Sequence, residues 1–212
     1  MIKFKAEADI LIPNCVLYVA NFYDRNSKKF AKFPTLTRFS SKHSTCDVMQ
    51  SCPCFRATIA ITSGTLINYT KYRKITPLKD EYFIDFIDNE YCLRLYKLGY
   101  RLAINCDVPL DHAIGARTVR KFIGFTIKPT FHSALRRYYI DRNSARTSLA
   151  YRCHYPSYIP LILTIIVHEL FSIILFENSK YTKIKAIIYG IYHYNIGRMG
   201  KCQVPSLISN AG

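Results

Sequence analysis

One stretch governs how this chain is interpreted, Ile84-Asp-Phe-Ile-Asp-Asn-Glu-Tyr-Cys-Leu-Arg-Leu-Tyr-Lys-Leu-Gly99. Its apolar side chains recur every three or four residues, at Ile87, Tyr91, Leu95 and Leu98. This spacing is typical of an amphipathic α-helix that buries one stripe. The sequence therefore predicts a helix that packs one face against a core.

Polar residues at both ends of this stretch predict where the helix starts and stops. Asp85 is a candidate N-cap, Asp88 then lies in the first turn, and Gly99 suits the C-terminal cap. Glu90 and Arg94 are four residues apart, which predicts an ion pair on the opposite face.

Strand-like segments lie on both sides of the predicted helix. Val16 to Val19 reads as a buried strand, and Ala57 to Ile67 as a strand that runs into a small-residue turn at Ser63-Gly64. That turn would let a ligand approach the backbone closely. Tyr100 to Ile104 is a further strand, after which a loop containing Pro109 leads to Asp111-His112. The polar stretch from Asp24 to Cys54 is interpreted as a long surface loop.

The C-terminal part changes character twice. Residues 112–152 are strongly basic, and residues 159–176 are almost entirely apolar with His168-Glu169 at the centre. Because the apolar run is slightly short for a span and carries these polar residues, a buried or membrane-surface helix is favoured over a spanning one. Residues 180–201 alternate basic and apolar side chains, which is typical of an amphipathic helix on anionic lipid.

Composition limits the classes of function. With 30 Lys and Arg against 14 Asp and Glu, the formal net charge is +16, which favours anionic partners such as nucleotide phosphates, nucleic acid or acidic lipid. The chain lacks helix-turn-helix, RNP and zinc-finger patterns, so nucleic-acid binding remains only an alternative. A hydrophobic share of 50% argues against disorder.

Eight cysteines are present, and Met1 is followed by charged residues rather than a secretory signal. We therefore expect a cytoplasmic protein with reduced thiols. The cluster of His43, Cys46, Cys52 and Cys54 has zinc-ligand residue types but not a zinc-ribbon spacing, so free thiols in a loop are the favoured interpretation.

Five pieces of the sequence together resemble a known enzyme family. They are, in chain order, Thr62-Ser-Gly-Thr-Leu-Ile67, Tyr82 to Arg94, Gly99-Tyr100 with Leu110-Asp-His-Ala-Ile-Gly115, Ser133-Ala-Leu-Arg-Arg-Tyr-Tyr-Ile-Asp-Arg-Asn143, and Tyr189 to Lys201. They are similar to the acceptor side and C-terminus of family-2 glycosyltransferases of the bacterial rhamnosyltransferase type. The resemblance runs from about Tyr18 to Lys201.

The resemblance implies an α/β fold, namely the C-terminal portion of a GT-A fold with a mixed sheet, followed by a helical, membrane-associating extension. The expected division is residues 1–115 for the partial GT-A domain and 116–212 for the extension. Asp88 matches the presumed catalytic base, and Ile87 stands where many members have Glu. Inverting sugar transfer needs such a base to take the proton of the acceptor hydroxyl.

Further roles are carried over from the same resemblance. Glu90 would orient the acceptor or an arginine, with Arg94 as its helical partner, and Ser63 and Gly64 belong to the acceptor side. His112 would lie near the diphosphate or a metal ion. The block with Arg136, Arg137, Tyr138 and Arg142 would hold a diphosphate of the donor or of a lipid-linked acceptor by bidentate contacts, although a solvated basic face is also open.

The sequence departs from the family in one important respect. The family binds its divalent metal, Mg²⁺ or Mn²⁺, through Asp-x-Asp, and this motif is absent, as are GxGxxG and a P-loop. We therefore expect a chain truncated before the acceptor side and doubtful activity for it alone.

The resemblance implies a nucleotide-sugar donor such as dTDP-rhamnose and a lipid-linked saccharide acceptor in O-antigen (lipopolysaccharide) synthesis. It also implies a cytoplasmic protein peripheral to the inner membrane, at an anionic surface. The alternative is a basic membrane-associated or nucleic-acid-binding protein without catalysis.

Overall fold

The structure, a computed structural model, describes residues 1–25, 28–46, 54–112, 120–122, 125–127 and 129–208. The chain divides into two compact units, the first formed by Met1–Leu78 and Asp88–Ile114 and the second by Lys79–Ile87 and Gly115–Gly212. The sequence predicted a division of the chain after residue 115, and the second unit resumes at Gly115. It did not predict that the segment Lys79–Ile87 belongs to the second unit.

The elements of the first unit are α1 (Ile2–Leu11), β1 (Cys15–Asp24), β2 (Lys29–Phe30), β3 (Phe33–Leu36), β4 (Ser41–Ser44), β5 (Cys54–Ala57), β6 (Leu66–Ile67), α2 (Tyr69–Tyr72), α3 (Ile87–Lys97) and β7 (Arg101–His112). Those of the second are β8 (Arg120–Phe122), β9 (Phe125–Ile127), α4 (Ala134–Tyr151), α5 (Tyr158–Phe176), α6 (Lys180–Asn195) and α7 (Pro205–Ile208).

A mixed sheet forms the centre of the first unit. Its strands lie in the order β2-β1-β7-β5, and β6 also pairs with β1. Strands β1 and β7 are parallel, whereas the other pairs in this sheet are antiparallel. Residues Cys15 to Ala20 of β1 are all buried, as expected for a strand covered on both faces. The predicted α/β class with a mixed sheet is confirmed, and the arrangement is compatible with a Rossmann-like fold.

Strand β7 continues through the region where a loop was predicted. Its pairing passes from Ala20–Asn105 to Asn21–Pro109, so Cys106 to Val108 form a bulge and Pro109 resumes the strand. A bulge is one of the places where a sheet accommodates proline. The prediction of a loop there was wrong because a bulge lets one strand include residues that locally break the pairing.

The stretch after Asp24 is also more ordered than predicted. It contains β2 and the antiparallel pair of β3 with β4, with Phe33 and Leu36 buried. Cys46 forms a disulfide with Cys106, so the expectation of reduced thiols was wrong for these two residues. The predicted cluster around them lies partly outside the described residues, since residues 47–53 are not described.

The second unit is mostly helical and follows the predicted sequence of segments. Helix α4 starts at Ser133, whose hydroxyl accepts a hydrogen bond from the Arg136 N–H at 3.3 Å. Helix α6 covers most of the predicted amphipathic segment and packs closely on α4 at Gly190, where a Cβ would lie 2.6 Å from the Tyr138 carbonyl oxygen. The strand pair β8–β9 precedes these helices.

Helix α5 is long and apolar enough to cross a membrane by length and composition, and only 17% of an 18-residue stretch of this helix is buried within the protein. The alternative of a buried helix, which the sequence left open, is therefore wrong. Most of this apolar surface lies outside the helical core of the second unit.

Candidate active site

The proposed catalytic carboxylate lies in the first turn of α3, as predicted. Asp88 is half-buried, and its Oδ1 accepts a hydrogen bond of 2.7 Å from the Thr62 hydroxyl. Among the described residues, Thr62 alone hydrogen-bonds to this carboxylate. The geometry thus presents one oriented and partly accessible acid.

The start of α3 is tied to the segment that follows β5. The Cys92 thiol donates to the Ala60 carbonyl oxygen at 3.5 Å, and the Thr65 hydroxyl donates to the Ile61 carbonyl oxygen at 3.3 Å. Burial raises the pKa of Cys92 to about 12, so this thiol is an inert packing group. These contacts fix Thr62 next to the first turn of the helix.

The other end of α3 confirms the predicted cap. Gly99 has a φ of +85°, the Gly99 N–H bonds to the Tyr96 carbonyl at 3.1 Å, and the Tyr100 N–H bonds to the Leu95 carbonyl at 2.9 Å. This pair of bonds is a Schellman motif, which ends the helix and turns the chain into β7.

Asp85 is not the N-cap of α3, contrary to the prediction. Its φ is +59°, and the helix begins two residues later. Its carboxylate instead accepts two hydrogen bonds from the Arg136 guanidinium, from Nε at 3.1 Å and from Nη2 at 3.0 Å. A bidentate pair with arginine is one of the strong, charge-assisted arrangements for a carboxylate.

Ser63 and Gly64 form an exposed turn in the first unit. Gly64 has a φ of +63°, and a Cβ there would lie 2.4 Å from Cδ2 of Leu110. The close approach that glycine permits here is therefore to a side chain of β7.

Glu90 and Arg94 form the predicted ion pair, with Nη2 to Oε2 at 3.2 Å, but the pair is buried rather than on an open face. Glu90 is only 1% exposed, and Arg94 also donates to the carbonyl oxygens of Thr76 at 2.7 Å and Pro77 at 3.0 Å. The role of Glu90 in orienting an arginine stays a prediction. This geometry leaves little of the Glu90 carboxylate for contact with an acceptor.

Arg142 was predicted to hold a diphosphate or to lie on a solvated basic face, yet it is 0% exposed. Its guanidinium donates to the carbonyl oxygens of Gly200 at 2.6 Å and Tyr82 at 3.1 Å, and it lies 5.0 Å from the Tyr139 ring centroid. The neighbouring Asn143 Nδ2 lies 2.8 Å from the Ile84 carbonyl oxygen. Both residues therefore hold backbone in place.

Arg137 is likewise 0% exposed, so diphosphate binding by this residue is contradicted. It pairs with Glu169 and with Glu177, the latter at 3.3 Å, and it donates to the Thr130 hydroxyl at 2.7 Å. Glu177 in turn accepts from Lys183 at 2.7 Å. Burial alone would raise the pKa of Glu177, but Lys183 and Arg137 outweigh it and lower that pKa.

Of the four residues proposed for diphosphate binding, Arg136 is the one with a described, exposed side chain, and it is engaged by Asp85. His112 is the last residue of β7, but its side chain and residues 113–119 lie outside what the structure describes. No group of three His, Cys, Asp or Glu side chains among the described residues could hold a metal ion.

A depression of about 500 Å³ lies elsewhere in the first unit, beside α1 and the β6–α2 segment. Lys5 and Lys71 line it together with apolar and hydroxyl side chains, and none of the predicted site residues does.

Sequence reasoning missed the partners that orient these groups. Thr62 and Asn143 were inside the quoted motifs, yet only three-dimensional proximity shows what each one bonds. Glu177 gave no periodic signal because it lies just beyond the end of α5.

Comparison with known proteins gives one informative match. The chain is 34% identical over 111 residues to dTDP-rhamnosyl transferase RfbF of Shigella flexneri, a match that covers 52% of this chain and 34% of that protein. The match thus spans about a third of the relative's length. No protein-family profile and no solved structure matches the chain. Together these findings support a glycosyltransferase-like relationship.

Proposed function

We propose that this chain provides the acceptor side of an inverting, family-2 glycosyltransferase of the GT-A type, with Asp88 as the catalytic base. The observation that carries the proposal is the half-buried Asp88 in the first turn of α3, oriented by the Thr62 hydroxyl at 2.7 Å. A base that must meet a substrate hydroxyl has to be ionised, oriented and accessible. The similarity to a dTDP-rhamnosyl transferase supports the same reading.

In the proposed reaction this carboxylate acts as a proton acceptor. Asp88 would take the proton of an acceptor hydroxyl while that oxygen forms a bond to the anomeric carbon of the donor sugar. The bond from that carbon to the nucleoside diphosphate breaks on the opposite face, and the diphosphate leaves with the electron pair. Attack opposite to the leaving group inverts the configuration.

The donor in this proposal is a nucleotide-linked deoxysugar, most simply dTDP-rhamnose, and the acceptor is a saccharide. A lipid-linked acceptor of surface polysaccharide or O-antigen synthesis, met at the cytoplasmic face of the inner membrane, is the finer form of the proposal. The exposed apolar helix α5 and the net charge of +16 support binding of the chain to anionic lipid.

A divalent metal would neutralise the departing diphosphate in this family. The described residues of this chain do not fit that task, because they bring no three metal-ligating side chains together. No step proposed here depends on a metal ion.

The test is a radiochemical transfer assay with dTDP-rhamnose and a lipid-linked saccharide. The chain is assayed alone and with the N-terminal part of the Shigella flexneri relative fused before Met1. In the fusion, Asp88→Asn should lower turnover by about 100-fold or more, because an amide cannot accept the proton. Asp107→Asn is the matched control, since Asp107 is exposed in the bulge of β7.

Turnover of Asp88→Asn within a few-fold of the parent fusion would reject the assigned base. Absence of transfer in a folded fusion that binds dTDP-rhamnose would reject the function itself.

A further inference from the structure

Helix α5 exposes a broad apolar face. Its exposed large side chains include Leu163 at 55%, Val167 at 50% and Phe171 at 56%, together with Ile165 and Ile174. The buried residues of this helix lie near its two ends, at Tyr158 and Ile162 and at Ser172 and Ile173. Soluble proteins rarely leave a contiguous apolar face of this kind in water.

Most polar side chains of α5 have partners within the protein. Glu169 is turned inward to pair with Arg137 of α4. The Ser172 hydroxyl donates to buried Glu177 at 3.4 Å, and the Thr164 hydroxyl returns to the Pro160 carbonyl at 2.8 Å. His168 is then the one ionisable side chain left exposed on this helix.

The exposed charged side chains between residues 152 and 201 are all positive. Between residues 152 and 201 the sequence contains two carboxylates, Glu169 and Glu177, and both are used in ion pairs with the buried side of the unit. The exposed charged side chains of this stretch are cations, namely Arg152, Lys180, Arg198 and Lys201. An apolar helix with cations shortly before and after it in the chain, at Arg152 and Lys180, and with no exposed carboxylate in this stretch is complementary to an anionic bilayer.

We propose that the exposed face of α5 docks on an anionic phospholipid bilayer, with the helix lying in the plane of the headgroups. Its partner is the lipid surface itself, through acyl chains under the apolar face and phosphates beside the cations. This proposal rests on the proposed function, because it adds a membrane surface to the lipid-linked acceptor. Vesicle binding can nevertheless be measured without any sugar transfer.

A spanning orientation is disfavoured by what packs against the helix. Helix α5 is joined to α4 by the ion pair of Glu169 with Arg137, and α4 carries Arg136 and Arg146 with part of each side chain exposed. Carrying these guanidinium groups into hydrocarbon along with α5 would be costly. Lying flat keeps them in water while the apolar face meets lipid.

Co-sedimentation of the purified chain with vesicles tests the proposal. The vesicles are phosphatidylcholine, with or without phosphatidylglycerol. We expect binding to the anionic vesicles that weakens with salt. Leu163→Gln/Phe171→Gln should reduce partitioning by roughly tenfold per side chain, because each replacement removes most of one apolar contact with lipid.

The chain offers a control of the same composition, Leu98→Gln/Phe39→Gln. Leu98 is 54% exposed and Phe39 is 87% exposed, and both lie in the first unit. This control should bind as the parent chain does, and circular dichroism should show both double variants folded. Asp88→Asn should also bind normally, which separates this proposal from the catalytic one.

Three results would overturn the docking proposal. One is an absence of binding to anionic vesicles, as expected if a second copy or another part of a longer protein covers α5. Another is an equal loss in both double variants. The third is retention in membranes after alkaline carbonate extraction, which would make α5 a spanning helix.

Discussion

Replacing Asp141 by Asn should stabilise the second unit, and the gain should grow with pH. Asp141 lies on α4 and is 1% exposed. Within the described part of the chain, neither of its carboxylate oxygens has a hydrogen-bond partner. Burial raises the pKa of Asp141 to about 7, Glu169 adds to this increase, and Arg137 opposes it. The folded state therefore holds a neutral acid that the unfolded state ionises near pH 4.

The direction in which stability changes with pH follows from how many protons this carboxyl group binds in the folded and in the unfolded state. Below pH 4 both states are protonated, so this group does not affect folding. Between pH 4 and pH 7 the unfolded chain releases the proton and the folded chain keeps it, so the free energy of unfolding falls as pH rises. Each pH unit corresponds to about 1.4 kcal/mol, and the interval of roughly three units gives on the order of 4 kcal/mol. Asparagine is nearly the same shape and carries no such penalty.

The assay is chemical denaturation of the parent chain and Asp141→Asn at several pH values from 4 to 8. We expect similar stabilities near pH 4 and a variant more stable by several kcal/mol near pH 8. Asp107→Asn, at an exposed position in the first unit, controls for loss of one negative charge. A difference between parent and Asp141→Asn that stays constant over this range would refute the reasoning.

Two further substitutions test one hydrogen bond in each unit. Thr62→Val removes the hydroxyl that orients Asp88 and should lower turnover of the fusion enzyme about tenfold, with less effect on KM. An unchanged kcat would show that this hydrogen bond is not used in the reaction. Asn143→Ala should cost about 1–3 kcal/mol of unfolding free energy in thermal denaturation, because buried carbonyl oxygens lose their donor. Asn195→Ala, at an exposed site with one comparable bond, should cost less than about 1 kcal/mol, and equal losses in the two variants would contradict the argument.

Local signals predicted the elements that are fixed by nearby residues. Helix α3 and its end at Gly99 follow from residues within a few turns of one another, and both are confirmed. Of the predicted stripe, Tyr91 and Leu95 are buried, whereas Leu98 is 54% exposed. The burial of β1 was also readable, since Val16 to Val19 are apolar without interruption. The bulge of β7 was not predictable, because it depends on which residues of β1 lie opposite.

The charge of a residue was the least reliable guide to whether its side chain is exposed or buried. Arg137 and Arg142 were predicted to hold a diphosphate or to lie on a basic face, yet both are buried with carboxylate or carbonyl partners. The partners of Arg137 lie on α5 and just after it, more than thirty residues away, so no local pattern reveals them. The net charge of +16 therefore overstates the positive surface that nucleic acid would meet.

These buried partners also change what the block from Arg136 to Asn143 does. Phe83, Asp85 and Phe86 all have positive φ, a conformation that costs non-glycine residues free energy and persists only where the surroundings fix it. Arg136 holds the side chain of Asp85, while Arg142 and Asn143 hold the carbonyl oxygens around it. This strained loop ends at Ile87, one residue before the proposed base. The motif that looked like a diphosphate clamp is thus better explained as the support that holds the strained residues 83–86 in their conformation.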